Sequence, residues 1–569
     1  MYAKHARFML VLILLLLTCG CWQKGTTENE IFKHKLKVNK DQFINEIAKG
    51  IPALMKEALI PGLSIAVMRD GKEFWQGCYG VSNINTKKPV ESNTVFEAAS
   101  LSKPVFTYAV LKLVDRQILN LDEPLIDYIG EEELNQVYPK SKGADERYKS
   151  ITARIVLTHS TGFPNWINQG LLSFMFDPGK KFSYSGEGFS FLSIVVEKIT
   201  GKKMNDFIKE EVFEPLGMNN SSYIWLDKYK DLFAGSHNFL GEITPRRRRT
   251  VAVAGASLYT TAEDYAKFLV ALLNSQDLNR NTHKEMIRPQ IDVPARYGDI
   301  EKVCEWGLGI GLHNTDQGRT CWHWGDNGDF KSYFEVSLKH KIGVVFFANS
   351  ANGHAITEKI VQLTTGMNHS AITTDFFIYP AYDSFVLKML KAYKQGGIDS
   401  FKELMSSISD EVIEKELYLK YAFHDLGSYL MNKSRIEDAT TVFKKASQIY
   451  PKDTGTLIYL AGIAFTSAEN KDGLATLKHA LEIDSNLERQ INTLGYRLLN
   501  AKKFDEAIEV FKFNIKSYPN SANCYDSLGE AYLKKGDEEN AKIYYRKALK
   551  IDPDFSSAIS ALKRLEKGS

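Results

Sequence analysis

The C-terminal part of the chain repeats itself, and this regularity constrains its fold more than any other feature. Small residues recur every 34 positions, and bulky apolar residues keep the same step on two further rows. The rows are Gly427, Ala461, Gly495 and Gly529; Leu426, Leu460, Leu494 and Leu528; and Phe443, Leu477, Phe511 and Tyr545. Four copies without an insertion predict paired helices that stack on one another.

This pattern resembles the tetratricopeptide repeat, whose unit is a pair of helices of about 34 residues. We assign four repeats to residues 420–553 and a capping helix to residues 554–569. Asn514 interrupts a further row of small residues, which weakens one close helix contact but not the assignment. Stacked repeats form a superhelix that commonly binds proteins, so we expect a protein partner for 420–553. Bracing of the preceding domain and self-association are the alternatives.

The N-terminus has the order of segments found in an export signal. A basic start precedes an apolar run over residues 8–17, which is too short to span a bilayer. Residues 1–20 are therefore predicted to be a signal peptide. The sequence Thr-Cys-Gly-Cys at 18–21 resembles a bacterial lipoprotein cleavage box and implies lipidation of Cys21, although Thr18 stands where Leu is usual. Ordinary signal-peptide cleavage is the alternative.

Residues 21–40 are polar and lack periodicity, which favours a tether between the lipid and the folded protein. The lipid would anchor the chain to a membrane while its bulk stays in water. The expected location is the cell envelope, as a periplasmic or outer-membrane lipoprotein.

Composition excludes several classes of function. The net charge is +3, from 72 Lys and Arg against 69 Asp and Glu, so no nucleic-acid partner is expected. Six cysteines are too few for a disulfide scaffold, and no Cys-x-x-Cys or His-Glu-x-x-His spacing occurs, so neither a metal nor another cofactor is expected. The basic run at 246–249 is either a solvated loop or a clamp for an anionic group of the substrate.

Strand patterns lie at both ends of the first 350 residues and helical patterns lie between them. Asp70-Gly71 separates two strand-like runs, and two more flank residues 339–341. Thr261 can cap one of the helices between these blocks. We predict an α+β domain over residues 41–375, with one sheet assembled from distant strands and a helical subdomain beside it. A helical connector is assigned to 376–419.

The chemistry centres on Ser100 and Lys103, which open a segment that is apolar nearly all round and is therefore predicted to be a buried helix beginning near Ser100. Residues three apart share a helix face, so the lysine can reach the serine. Burial lowers the pKa of a lysine amine, which can then take the serine proton. A second Ser-x-x-Lys, at Ser560 and Lys563, lies in the capping helix with nothing catalytic after it.

Two later motifs follow in order along the chain, Tyr184-Ser185-Gly186 and His323-Trp324-Gly325. With Ser-x-x-Lys they resemble the serine β-lactamase and penicillin-binding protein superfamily. The branch around class C β-lactamases, their esterase relatives and D-amino-acid-specific peptidases is the most similar. The segments "IPGLSIAVMRDGK", "LDEPLIDYI", "ITARIVLTHSTGFP" and "EPLGMNNSSY" extend the resemblance over residues 41–350.

The resemblance implies an antiparallel sheet flanked by helices and a role for each motif residue. Ser100 would be the nucleophile, Lys103 its activating partner and Tyr184 a proton relay. His323 and Gly325 occupy the places of the Lys-Thr-Gly motif on the strand that lines the site. The backbone N–H groups of Ser100 and Asp326 would stabilise the oxyanion.

Two departures from the family pattern bear on the substrate. Gly186 replaces the asparagine of Tyr-x-Asn, which offers an amide to an acylamino group. His323 replaces a lysine, and a neutral imidazole holds a carboxylate less firmly than an ammonium does. Both changes favour esterase or peptidase chemistry over efficient hydrolysis of penicillins. His159 is either a cleft residue or a structural group, and Trp166 either walls the pocket or packs against its surroundings.

The leading hypothesis is an exported serine hydrolase that acts through an acyl-enzyme on an ester, a D-amino-acid peptide or a β-lactam-like substrate. The alternative is an inactive protein of the same fold whose repeats scaffold an envelope protein complex. The intact set Ser100, Lys103 and Tyr184 favours the enzyme.

Overall fold

The computed structural model describes residues 30–138, 145–167, 172–295, 302–368 and 379–567. The chain divides into two compact units between Lys391 and Ala392. The first unit contains all the described strands, whereas the second is helical. The α+β class predicted from the sequence is confirmed.

The first unit is built on a sheet of nine antiparallel strands in the order β3-β2-β1-β13-β12-β11-β10-β9-β8. Its strands are β1 Gly62–Arg69, β2 Lys72–Asn83, β3 Lys88–Pro89, β8 Ile291–Val293, β9 Cys304–Trp306, β10 Gly311–Thr315, β11 Gly318–Asp326, β12 Lys331–Ser337 and β13 Ile342–Ala348. Leu63 pairs with Ala348, so the first and last strands of the unit are neighbours in the interior of the sheet. The prediction of one sheet from distant strands is confirmed.

Asp70 and Gly71 form the predicted turn between β1 and β2, both with positive φ. Two short ribbons complete the strands. They pair β4 Phe96–Ala99 with β7 Leu258–Thr260, and β5 Ser236–His237 with β6 Ile243–Thr244.

Helices cover the sheet and fill the long segment between its two halves. They are α1 Lys40–Glu57, α2 Ser102–Asp115, α3 Ile126–Val137, α4 Ala153–Leu157, α5 Gly186–Thr200, α6 Met204–Ile208, α7 Glu214–Leu216, α8 Ala262–Asn274, α9 Arg280–Met286 and α10 Thr357–Thr365. Every position of β1, β12 and β13 is buried, because helices pack on both faces of the sheet. Thr261 caps α8 as predicted, accepting a hydrogen bond from the Asp264 N–H.

The tether predicted for residues 21–40 is wrong for its second half. Residues 30–37 form a helix. Phe32 and Val38 are buried, and the Val38 carbonyl accepts a hydrogen bond of 2.5 Å from Arg69 Nη1. Two buried apolar side chains tie a segment to the domain even where the sequence has no helical period. The signal peptide, residues 1–20, and Cys21 lie outside the described residues.

The second unit consists of helix pairs. Its helices, with the one that leads into it, are α11 Phe385–Ser406, α12 Asp410–Lys415, α13 Leu419–Asn432, α14 Ile436–Ile449, α15 Thr454–Thr466, α16 Asn470–Ile483, α17 Glu488–Asn500, α18 Phe504–Ser517, α19 Ala522–Lys535, α20 Glu538–Ile551 and α21 Ser556–Lys567. The eight helices from α13 to α20 form four pairs, and α21 follows them.

At two of the positions that recur every 34 residues, a glycine packs against an aromatic ring of the paired helix. A Cβ atom on Gly427 would lie 2.3 Å from the Phe443 ring, and one on Gly495 would lie 2.4 Å from the Phe511 ring. Each glycine therefore lets the two helices of a pair approach over an aromatic side chain. Asn514 is fully buried, and its side-chain NH2 group donates a hydrogen bond of 3.1 Å to the Glu488 carbonyl, whereas its Oδ1 has no partner among the described residues.

Among the described residues, no helix combines the length and hydropathy that crossing a bilayer requires.

Candidate active site

Ser100 lies in a sharp turn between β4 and α2. Ala99, the last residue of β4, has a φ of +50°, an uncommon value for a residue with a side chain. The helix begins at Ser102, two residues later than predicted, and Leu101 is its N-cap. The Lys103 N–H donates to the Ser100 carbonyl at 3.0 Å, so the turn closes directly onto the helix. Backbone strain of this kind is common at functional sites.

Lys103 extends from the first turn of α2 and is fully buried. Its Nζ lies 3.0 Å from Ser100 Oγ and 2.7 Å from the carbonyl oxygen of Gly255. The same nitrogen lies over the rings of Tyr184 and Phe189, at 4.7 Å and 5.6 Å from their centres. Burial lowers the pKa of Lys103 to about 7, so a large share of the amine is uncharged at neutral pH.

Tyr184 precedes α5 and closes the site on the side of Lys103. Its ring centre lies 4.6 Å from that of Trp324 and 6.1 Å from that of His323. Burial raises the pKa of the phenol, and the Ser100 side chain opposes that rise only in part. The phenol oxygen is buried without a well-formed hydrogen bond to any described residue. Tyr184 is therefore a neutral phenol next to the Ser100 side chain.

His323 is fully buried on β11. Its Nδ1 lies 2.7 Å from the Trp324 carbonyl oxygen, which can only accept, so we assign the ring proton to Nδ1. Burial, and then the charge of Lys103, lower the pKa of the imidazole well below its usual value. Its Nε2 is left as a buried acceptor with no partner among the described residues.

Gly325 is required by close packing. A Cβ atom at this position would lie 2.1 Å from Ser332 Oγ and 2.3 Å from the Ala98 carbonyl oxygen. Only glycine allows β11 to pass this close to β4, the strand that leads to Ser100. Gly325 therefore sets the distance between β11 and β4, the two strands that border the site.

The backbone of Asp326 is oriented by the hairpin between β11 and β12. The Asn327 N–H donates to the Phe330 carbonyl at 3.1 Å, so the adjacent pair, Asp326 and Lys331, is not hydrogen bonded. The Asp326 N–H consequently points away from β12. On that side β10 pairs with β11 only as far as Trp322, so no described strand takes up this N–H group.

A buried carboxylate that the sequence analysis missed ties three segments of the site together. Glu97, three residues before Ser100, is 3 % exposed and forms a two-bond ion pair with Arg246. Asn327 donates to Glu97 Oε2 at 2.6 Å and to the Ala256 carbonyl at 3.2 Å. Ala256 follows Gly255, which holds Lys103. In the sequence, only its position three residues before Ser100 distinguishes Glu97.

The basic run at 246–249 is thus not a free substrate clamp at Arg246, because Glu97 neutralises that guanidinium. Arg248 stacks its guanidinium 4.5 Å from the Trp225 ring.

His159 is a structural group packed against Tyr184. It is fully buried with a φ of +54°, and its ring centre lies 4.2 Å from that of Tyr184. Its Nδ1 accepts a hydrogen bond of 3.1 Å from the Ser185 N–H. Trp306, also fully buried, packs on the rings of His159 and His323.

The structure therefore brings Ser100, Lys103, Tyr184 and His323 into one cluster, bordered by Gly325. Among the described residues, no group of three or more His, Cys, Asp or Glu side chains is placed to hold a metal ion.

Comparison with known proteins shows the family to which this chain is similar. Residues 47–363 match the family model described as Beta-lactamase, and residues 522–555 match the tetratricopeptide repeat model. Protein flp of Staphylococcus aureus (strain COL) is 23% identical over 371 residues, which cover 60% of this chain and 68% of that protein. Penicillin-binding protein 4* of Bacillus subtilis (strain 168) is 27% identical over 180 residues, which cover 28% of this chain and 37% of that protein.

Two solved structures are similar to this chain at low sequence identity. The octameric penicillin-binding protein homologue from Pyrococcus abyssi is 22% identical, with a TM-score of 0.49, and the match covers 61% of this chain and 81% of that one. The D-alanine carboxypeptidase AmpC from Burkholderia cenocepacia is 18% identical, with a TM-score of 0.46, over 55% of this chain and 95% of that one. Since the family model spans more than half of the sequence, this chain belongs to the β-lactamase family and carries tetratricopeptide repeats after its β-lactamase-like unit.

Proposed function

We propose that this protein is a serine hydrolase that forms an acyl-enzyme on Ser100 and acts on uncharged esters. Membership of the family supports a hydrolase at a coarse level. The finer proposal depends on one observation, the buried Lys103 Nζ at 3.0 Å from Ser100 Oγ with its pKa lowered to about 7. A serine hydroxyl needs such a base to become a nucleophile.

In the proposed reaction, Ser100 Oγ attacks the ester carbonyl carbon and its proton passes to the uncharged amine of Lys103. The resulting oxyanion is stabilised by the N–H groups of Ser100 and Asp326. The bond to the alcohol oxygen then breaks, and that oxygen takes the proton from Lys103 through the Tyr184 phenol. The acyl group stays on Ser100 as an ester.

Water completes the cycle. It attacks the acyl carbon and gives a proton to Lys103. The proton then returns to Ser100 Oγ as the bond between that oxygen and the acyl carbon breaks, and the carboxylic acid leaves. Tyr184 serves as a relay and not as the primary base, because burial raises its pKa and keeps the phenol protonated.

The preference for uncharged substrates follows from His323. Its Nε2 is a lone-pair acceptor, since Nδ1 carries the ring proton and the imidazole is neutral. An acceptor repels a substrate carboxylate that an ammonium would bind. We therefore place uncharged esters ahead of D-amino-acid peptides and β-lactams, many of which carry a carboxylate.

The test is a screen of esters, D-amino-acid peptides and β-lactams that is read by the mass of the acyl-enzyme. We expect mass addition at Ser100 from uncharged esters, and no addition in Ser100→Ala. His323→Lys should shift the preference toward carboxylated substrates such as penicillins. Labelling that persists in Ser100→Ala would refute the nucleophile, and an unchanged preference in His323→Lys would refute the role of the imidazole.

The remaining proposals concern the ends of the chain. The repeats supply a surface for a protein partner, and Cys21 carries the lipid that holds the protein in the cell envelope. Incorporation of a labelled fatty acid by the wild-type chain, and its loss in Cys21→Ser, would support the anchor. Equal labelling of both chains would contradict it.

A further inference from the structure

Trp166 differs from the other aromatic residues around the site because its side chain is open to solvent. It is 43% exposed, whereas Tyr184 is half-buried and Trp306 and Phe189 are fully buried. We propose that the Trp166 indole is a stacking platform for a planar apolar group of the substrate and so determines specificity. This inference rests on the proposed hydrolase function and adds a subsite to it.

A series of short contacts connects this indole to the catalytic amine. A Cβ atom on Gly186 would lie 2.5 Å from Trp166 Cη2, so the indole lies directly against the Gly186 backbone. A Cβ atom on Gly255 would lie 3.4 Å from Gly186 Cα and 3.2 Å from Lys103 Nζ. Gly186 therefore lies against Trp166 and close to Gly255, which borders Lys103 Nζ, so the exposed indole stands near the reacting centre.

The backbone that leads into Trp166 is held by hydrogen bonds. Asn165 Oδ1 accepts a hydrogen bond of 2.8 Å from the Gly186 N–H, and the Asn165 carbonyl accepts one of 2.9 Å from the Glu187 N–H. Ser185 Oγ donates to the Pro164 carbonyl at 2.9 Å. These bonds attach the backbone on the N-terminal side of Trp166 to the first turn of α5. A platform held in this way needs little reordering when a substrate binds.

The chemistry of the platform selects planar apolar groups. An indole face stacks with aromatic rings, which adds to the affinity gained from burying apolar area. Gly186 has no side chain with which to offer a hydrogen bond at this point. The substrate group next to Gly186 is therefore recognised by stacking and by burial of apolar surface.

The experiment compares three simple esters in the full-length protein. Methyl phenylacetate carries an aromatic acyl group, benzyl acetate an aromatic alcohol, and methyl acetate neither. In Trp166→Ala we expect kcat/KM to fall about tenfold for one aromatic ester and less than about twofold for methyl acetate. Trp166→Phe should retain most of the activity. Tyr421→Ala, which removes a 41% exposed aromatic ring from the helical unit, is the matched control.

Selective loss for either aromatic ester supports the platform and identifies the side of the substrate that it binds. Equal loss for all three esters, or no loss for any, overturns it. Binding of the same esters to Ser100→Ala, with and without Trp166→Ala, measures the subsite without chemistry. If wild-type Ser100 is never acylated, the hydrolase proposal fails. The platform fails separately if the two Ser100→Ala proteins bind the aromatic esters equally.

Discussion

The side-chain nitrogen of Lys103 lies 2.7 Å from the carbonyl oxygen of Gly255, in the turn before β7. A carbonyl accepts a hydrogen from an amine whether or not the amine is charged, but it does not compensate a full charge in a buried site. The arrangement therefore positions an uncharged amine and leaves its lone pair for the Ser100 hydroxyl at 3.0 Å.

Acylation should rise with pH through about 7, because only the uncharged Lys103 can take the serine proton and its pKa lies near that value. Below the pKa the rate should fall tenfold per pH unit. Rapid quenching followed by mass spectrometry gives the rate of acyl-enzyme formation at each pH. A flat profile from about pH 5.5 to about pH 9 would contradict Lys103 as the base.

Lys103→Met should abolish acylation and stabilise the hydrolase unit at pH 7 by about 1–2 kcal/mol, because it replaces a buried ionisable amine with an apolar side chain. The folded lysine pKa is lowered, so the unfolded chain binds more protons between pH 7 and the usual lysine pKa. The free energy of unfolding of the wild type therefore rises with pH across that window. The difference in stability between Lys103→Met and wild type should shrink accordingly. Urea unfolding at several pH values measures this. A variant less stable than wild type at pH 7 would argue against the assignment.

Tyr184→Phe should slow acylation by about 10²–10⁴-fold, the usual range for loss of a proton-transfer group. Its free energy of unfolding should hardly change, because the phenol oxygen makes no well-formed hydrogen bond with the described residues. Single-turnover kinetics and urea unfolding of the same preparation separate the two effects. Full activity in the variant would remove Tyr184 from the relay.

Gly325→Ala should destabilise the unit by about 2–3 kcal/mol, since its methyl group would overlap Ser332 Oγ and the Ala98 carbonyl. Gly328→Ala, on the same hairpin, is the control. Its φ is +76° but no atom lies within 4 Å, so only backbone strain is added. Urea unfolding should rank Gly325→Ala as the more damaging change. The reverse order would mean that β11 can move away from β4.

Glu97→Gln should reduce both stability and acylation, because it deprives the partly buried Arg246 guanidinium of the carboxylate that pairs with it. Breaking one side of such a pair costs about 3 kcal/mol when it is fully buried and less here. The double variant Glu97→Gln with Arg246→Met should recover part of the lost stability. If the double variant loses as much stability as the two single variants together, the two residues are not coupled.

The sequence predicted most of the fold because its patterns are local or periodic. The turn at Asp70-Gly71, the Thr261 cap and the glycine row from Gly427 to Gly529 each depend on nearby residues. The helix at residues 30–37 could not be predicted, because its stability depends on where Phe32 and Val38 are buried.

The active site, like the fold, could be predicted only in part. The motif residues carry chemistry in their identity, so Ser100, Lys103 and Tyr184 could be selected. Glu97 and the Gly255 carbonyl could not, because their roles depend on contacts with residues more than a hundred positions away. A backbone carbonyl also has no sequence signal of its own.

The pairing of Leu63 with Ala348 has a consequence for how the first unit folds. A sheet in which two neighbouring interior strands come from opposite ends of the segment cannot close until nearly all of that segment is available. Contacts of such long sequence separation slow folding, because a large loop must be ordered before the pairing repays its entropy. The repeats of the second unit need only adjacent helices, so the two units should acquire structure on different timescales.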